Sequence, residues 1–135
     1  GACLAGVSFL KGLGLVHAIS HMVGAEFDTH HGLTNAIVLP TVLRFNAPAI
    51  SHKLPAMSRA LGLESADFVS FDAAICQMLD RLDIPLSLSD IGVPVEAAKS
   101  IAEKAHQDAA AATNPREADV ETIERLVIES ITKGR

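Results

Sequence analysis

Four of the six histidines in this 135-residue chain lie within fifteen positions, at His17, His21, His30 and His31. His17 and His21 are four residues apart, a spacing that places both imidazoles on the same face of a helix. His31 follows in the first predicted turn of the next helix, which a helix–turn–helix of this length can bring beside the pair. Because imidazole is the commonest ligand for borderline divalent metals, the pattern suggests a metal site.

A structural interpretation of these histidines stays open on spacing alone, since pairs four residues apart are frequent. The apolar stretch Leu13–Val16 before His17 favours a functional role, because an imidazole without a partner would cost desolvation energy there. Glycines at 12, 14, 24 and 32 also permit the close backbone approach that a packed site needs. With these features, the residues support a metal site and a purely structural role for the histidines equally well.

The composition favours helices as the elements that position these residues. Apolar residues make up 49% of the chain and are mostly Ala, Leu, Ile and Val, with five Phe and neither Trp nor Tyr. No segment alternates apolar and polar residues between hairpin turns, so no strand is predicted. We therefore predict one all-α domain of six to eight helices over residues 1–135, large enough to bury a core.

Local patterns give the approximate helix boundaries. The segment 2–10 is apolar on nearly every side, so its helix should be buried. The histidine-bearing helix covers about 15–23, and Asp28 or Thr29 should cap a helix that begins at His30 or His31 and runs towards Phe45. Pro40 should kink or split that helix, and Pro48 should open a short helix that Gly62 closes.

The clearest amphipathic segment is 67–82, whose apolar residues form one stripe over four turns. It predicts burial of Phe68, Phe71, Ile75 and Met78. A loop over 83–94, a helix opened by Pro94, a break at 113–116 and a last helix over about 119–132 complete the chain.

Charge and cysteine usage exclude several functional classes. The net charge is −5 without a basic cluster, which argues against nucleic-acid binding. No apolar run reaches the roughly 18 residues of a membrane span. Cys3 and Cys76 have no CxxC spacing and are expected to be small buried groups of a cytoplasmic protein.

The histidine block resembles the signature of the iron-containing (group III) alcohol dehydrogenases. It reads GLGLVHAISHMVGA over 12–25 and DTHHGLTNAIVLP over 28–40. The segments 44–46 (RFN) and 113–116 (TNPR) also match the family's pattern, so the resemblance covers essentially the whole chain. Position 30, often proline in the family, is histidine here, and His30 is interpreted as a neighbour of the site.

The resemblance implies a dehydroquinate synthase-like helical C-terminal domain holding a divalent metal, Fe2+ first and Zn2+ as an alternative. His17 and His31 would be metal ligands, and His21 would be the catalytic proton-relay histidine near the nicotinamide and substrate. The family's other two ligands, an Asp and a His four residues apart on an earlier helix, do not occur in this chain. An NAD(P)-binding N-terminal domain is likewise implied and is absent from these residues.

The implied reaction is reversible oxidation of a small alcohol to an aldehyde or ketone, with NAD(P) as the hydride acceptor. Alone, these 135 residues are expected to be inactive, and a homodimer stays open. A metal-independent maleylacetate reductase-like enzyme could use the same histidines as acid–base groups. A non-catalytic helical binding module is the alternative from another class. Arg116 is a candidate for a buried salt bridge that docks the missing domain.

Overall fold

The computed structural model describes all residues from Gly1 to Arg135 and contains helices and turns but no strand. The all-α prediction is confirmed. The seven α-helices are α1 (Ala2–Phe9), α2 (Gly14–Phe27), α3 (His31–Ile50), α4 (Leu54–Ala60), α5 (Phe68–Arg81), α6 (Ala98–Gln107) and α7 (Val120–Thr132). Short 3-10 turns at Ser51–Lys53, Leu88–Ile91, Val95–Ala97 and Ala111–Thr113 connect them.

The main hydrophobic core lies among α2, α3, α6 and α7. Helix α2 packs against both α3 and α6, and α6 packs against α7. Ile19, Val38, Ile101 and Ile123 are completely or almost completely inaccessible at its centre. Each fully buried side chain of this size contributes about 1.5–3 kcal/mol of transfer free energy. The two helices that carry the histidines are therefore held on their inner faces by the largest apolar cluster in the molecule.

Helix α3 runs unbroken through Pro40 and Pro48, so Pro40 does not split the helix and the predicted helix start at Pro48 is wrong. A proline inside a helix loses one backbone hydrogen bond and costs about 3 kcal/mol. Pro40 is itself buried, and α3 packs against α2, α5 and α7, so tertiary burial offsets that cost. Pro55 occupies the first turn of α4 instead.

The turn between α2 and α3 differs from the prediction at its cap. His30 is the N-cap of α3, and its ring nitrogen accepts a hydrogen bond from the Leu33 amide. Asp28 instead ends α2 in the left-handed conformation, with φ 51°. The expectation that Asp28 or Thr29 caps α3 is therefore wrong, although the predicted start at His31 is correct.

Helix α5 confirms the predicted stripe in its centre and not at its edges. Phe71, Ile75 and Leu79 are buried against α3 and α4. Phe68 is half-buried and Met78 is 36% exposed, because the stripe is wider than the surface that covers it. Cys76 on the same helix is half-buried and unpaired, rather than a fully buried group.

Helix α1 contradicts the prediction that it is buried. None of its residues is buried, and Leu4, Val7 and Phe9 are 74%, 54% and 61% exposed. Cys3, expected to be buried, is exposed as well. High hydropathy indicates that burial of a segment is favourable, but it does not identify the surface that buries it. No single helix is long and apolar enough to cross a membrane; only α1 and α2 taken together reach that length, and they are bent by 91°.

Candidate active site

The turn between α2 and α3 brings three imidazoles into one cluster. The ring centroids of His17 and His31 are 5.2 Å apart, those of His21 and His31 are 5.3 Å apart, and those of His17 and His21 are 5.9 Å apart. The His21 and His31 rings are stacked, with 17° between their planes. The three histidines predicted to form the site therefore share one surface, with His17 and His21 half-buried and His31 exposed.

The Nε2 atoms of His17 and His31 face a common point, which the side-chain amide of Asn35 occupies. The Asn35 Nδ2 atom lies 3.4 Å from His17 Nε2 and 3.0 Å from His31 Nε2. An amide nitrogen only donates, so each Nε2 must present its lone pair to it. Two imidazole lone pairs directed at one point are the arrangement that a metal ion requires.

The opposite nitrogen of His31 supports the same assignment of protons. Its Nδ1 lies 3.2 Å from the Ser20 Oγ atom, and the Ser20 hydroxyl is also 3.3 Å from the His31 carbonyl oxygen. If that hydroxyl donates to the carbonyl, His31 Nδ1–H donates to Ser20 Oγ. The Nε2 lone pair is then free, as in metal-binding histidines whose other nitrogen is fixed by a hydrogen bond.

These residues fit part of a divalent-metal coordination shell. The donor set is two neutral imidazoles, which suit Fe2+ and Zn2+. The Asn35 Oδ1 atom is buried without a hydrogen-bond partner, so this amide is incompletely satisfied in its present position. The chain has no group of three or more His, Cys, Asp or Glu side chains arranged for a metal, so a full shell needs ligands beyond His17 and His31.

The environment of His17 favours its neutral form. Burial lowers the pKa of His17 most, and the neighbouring His31 and His21 lower it further. A hydrogen bond with the Leu13 backbone, one turn earlier, acts in the opposite direction. The net effect is a pKa below the ordinary value of 6.5, which keeps the imidazole available as a ligand at neutral pH.

Asp108 is a site residue that the sequence did not reveal. Its Oδ2 atom lies 3.0 Å from His21 Nδ1, and its Oδ1 atom accepts a 2.7 Å hydrogen bond from the Ala110 amide. Burial alone would raise the pKa of Asp108, but the bonds from Ala110 and His21 bring it below the ordinary value. An ionised Asp108 holds the proton of His21 on Nδ1 and leaves Nε2 free to exchange protons.

A family comparison identifies the domain that carries this cluster. Residues 1–131 match the model described as "Fe-containing alcohol dehydrogenase family, C-terminal". The chain belongs to the iron-containing alcohol dehydrogenase family. The three clustered histidines, Asn35 and Asp108 all lie within the matched residues.

Individual relatives agree with the family match. The chain is 38% identical over 134 residues to lactaldehyde reductase from Escherichia coli (strain K12), covering 93% of this chain and 35% of that protein. It is 33% identical over 132 residues to NAD-dependent methanol dehydrogenase from Bacillus methanolicus, covering 92% and 34% of the two. The crystal structure of a 1,3-propanediol oxidoreductase superposes with a TM-score of 0.81 at 31% identity, covering 87% and 32%. The chain thus spans about a third of the length of these relatives.

The other candidate residues of this iron-containing alcohol dehydrogenase domain make different contacts. His30 acts as the α3 cap, and His52 is exposed in the turn Ser51–Lys53. His106 is exposed on α6 and lines a separate surface cavity of about 650 Å³. Arg116 forms no salt bridge within these 135 residues, and its predicted pairing with another domain stays a prediction. It donates to the Phe45 carbonyl at 3.0 Å and stacks over the Phe45 ring at 4.3 Å.

Proposed function

We propose that this chain is the metal-binding part of an alcohol dehydrogenase that transfers a hydride between a small alcohol and NAD(P). The observation that carries the proposal is the convergence of His17 Nε2 and His31 Nε2 on one point, with His21 stacked beside them. The activities of two relatives, a lactaldehyde reductase and an NAD-dependent methanol dehydrogenase, support the substrate class and the cofactor.

His17 and His31 would hold the metal through their Nε2 atoms. Ser20 keeps the His31 ring oriented for this through its hydroxyl. A divalent ion bound there, Fe2+ or Zn2+, supplies a Lewis acid that lowers the pKa of the substrate hydroxyl. Neutral imidazoles preserve that Lewis acidity better than carboxylates, because they add no negative charge at the ion.

His21 moves the proton. With Nδ1–H donated to Asp108, the Nε2 lone pair of His21 can accept the proton that leaves the substrate hydroxyl. A bound NAD(P) would supply the hydride acceptor, so that the alcohol would lose one proton and one hydride and become a carbonyl compound. In the reverse direction His21 returns the proton to the developing alcohol.

The remaining parts of the enzyme lie outside these residues in our proposal. A preceding nucleotide-binding domain supplies the NAD(P) site and the Asp and His that complete the metal shell. Two imidazoles alone leave a divalent ion mostly hydrated, which forfeits much of the binding free energy. The isolated chain should therefore bind metal weakly and show no dehydrogenase activity.

Zn2+ titration and an NADH-absorbance assay test this proposal on the chain alone and on a protein that adds the preceding domain. In the longer protein, His17→Ala and His31→Ala should abolish metal loading, whereas His21→Ala should keep the metal and lower kcat. His52→Ala is the control, because that exposed histidine contacts none of the cluster, and it should change neither quantity.

Each contrary outcome identifies the part of the proposal that fails. Full turnover after the metal is removed would contradict the metal assignment and favour a maleylacetate reductase-like chemistry. Absence of NADH oxidation or formation with any small alcohol or aldehyde would favour a non-catalytic module. Robust turnover by the 135 residues alone would refute the proposed missing domain.

A further inference from the structure

The start of α2, the helix that carries His17 and His21, has an unusual cap. Its N-cap residue, Leu13, has no side chain that can accept a hydrogen bond. The first amides of the helix are satisfied instead by a segment about a hundred positions later. The Thr113 Oγ1 atom lies 3.1 Å from the Leu13 amide and 3.4 Å from the Gly14 amide, and Asn114 Oδ1 accepts from the Leu15 amide at 3.1 Å.

Glycines on the α2 side make this approach sterically feasible. A Cβ atom on Gly12 would lie 2.4 Å from the Thr113 Cβ atom, and one on Gly14 would lie 3.0 Å from Asn114 Oδ1. Both glycines also have positive φ values, 101° and 72°. The Gly12-Leu13-Gly14 segment is therefore shaped to receive these two side chains.

Asn114 also fixes α2 relative to α3. Its amide forms a reciprocal pair with buried Asn46 of α3, at 2.8 Å and 3.0 Å, and donates to the Arg116 carbonyl. One side chain thus joins the helix that carries His17 to the helix that carries His31. Every polar atom of the Asn114 side chain is used in this junction.

We infer that Thr113 and Asn114 are positioning residues, which hold the first turn of α2 so that His17 faces His31. The path is short, since Thr113 binds the amide of Leu13, which is the N-cap of α2 and precedes His17 by about one helical turn. This inference rests on the proposed function, because it assigns a purpose to the alignment of the two ligands. It gives the 113–116 segment a role that neither its composition nor its place after α6 indicates.

The test compares Thr113→Val, which removes the acceptor at nearly constant shape, with Thr113→Ser, which keeps it. Thr132→Val is the matched control, because its exposed hydroxyl only bonds back to Ile128 within α7. Amide hydrogen exchange and an NMR titration with Zn2+ are measured on each folded variant. Thr113→Val should expose the Leu13 and Gly14 amides selectively, leave the Leu15 amide protected, and weaken Zn2+ binding roughly tenfold, as loss of a ligand-orienting group does.

Thr113→Ser should keep both the protection of the Leu13 and Gly14 amides and the affinity for Zn2+. Thr132→Val should change neither the amide protection nor the affinity. The inference is overturned if Thr113→Val exposes the two amides while Zn2+ affinity stays within twofold of the unmutated chain. It is equally overturned if the affinity loss also appears in Thr132→Val. A His17→Ala variant distinguishes failure of the proposed function from failure of this inference. If His17→Ala leaves Zn2+ binding unchanged, the metal assignment itself fails, whatever the Thr113 result.

Discussion

Replacement of Asp108 with asparagine should exchange the two neutral forms of the His21 ring. The Asp108 Oδ1 atom is committed to the Ala110 amide at 2.7 Å, and its Oδ2 atom faces His21 Nδ1 at 3.0 Å. An asparagine side chain has only one oxygen, and the Ala110 N–H needs an acceptor. The side-chain amide nitrogen introduced by Asp108→Asn must then face His21 Nδ1 and donate to it, so the ring proton moves to Nε2.

The size of this effect follows from the hydrogen bond and its exposure. A bond to a charged partner contributes about 1.5–3 kcal/mol when well sheltered. The His21 side chain is 36% exposed, so we take about 1 kcal/mol for its preference towards Asp108. That value corresponds to a population ratio of about five, or roughly 85% of the Nδ1–H form. A neutral amide donor in place of the carboxylate, contributing about 1 kcal/mol in the other direction, reduces that form to roughly 15%.

Long-range ¹⁵N–¹H spectra of the histidine rings measure these populations directly in the 135-residue chain. They should be recorded near pH 8.5, about two units above the ordinary histidine pKa of about 6.5. Asp80→Asn is the control, because Asp80 pairs with Arg135 and contacts no histidine. In the complete enzyme Asp108→Asn should lower kcat at least fivefold with metal content unchanged. A His21 ring that keeps its proton on Nδ1 in Asp108→Asn would refute the reasoning.

Two further predictions concern stability. Ile101→Ala, at a fully buried position, should lower the free energy of unfolding by about 2–5 kcal/mol in urea titrations. Val69→Ala is the control, because this position is 77% exposed, and it should lower the free energy of unfolding by less than about 0.5 kcal/mol. Equal losses in the two variants would contradict the assigned core. The pKa of Asp67 is lowered to about 2, first by the Ser65 hydroxyl and then by the Ser70 amide and hydroxyl. Its capping contribution to stability is therefore complete above about pH 4 and is lost as the pH falls through about 2. The stability difference between the native chain and Asp67→Ala should therefore narrow between pH 5 and pH 2, and a constant difference would show that the carboxylate does not cap α5.

The sequence predicted the existence and approximate extent of most helices, because apolar periodicity reports which face a helix buries. It failed where the outcome depended on partners elsewhere in the chain. Pro40 lies inside α3 because three other helices pack on that helix, and no local pattern contains this information. The exposure of α1 has a similar origin, since its residues indicate a need for burial without specifying what buries them.

The site was predictable to the extent that its residues are close in sequence. His17, His21 and His31 belong to one short block, so helical spacing and the family resemblance were sufficient to single them out. Asn35 follows His31 by one turn within the segment 28–40, yet its sequence context does not distinguish it from a surface amide. Asp108 is 87 positions from His21 and sits in an alanine-rich stretch, where an isolated carboxylate carries no signal of its own.

One nine-residue segment, from Asp108 to Arg116, makes the long-range contacts with α2 that could not be predicted from the sequence. At one end of the segment Asp108 orients His21, and near the other end Thr113 and Asn114 hold the first turn of α2. The segment therefore contacts α2 at two positions along its length, at His21 and at the first turn. Its sequence is alanine-rich and its structure is irregular and partly exposed, which is typical of a connecting segment. Loop residues that position a site are recognisable only through long-range contacts, and in the proposed enzyme these contacts would align both the His17 ligand and the His21 proton relay on α2.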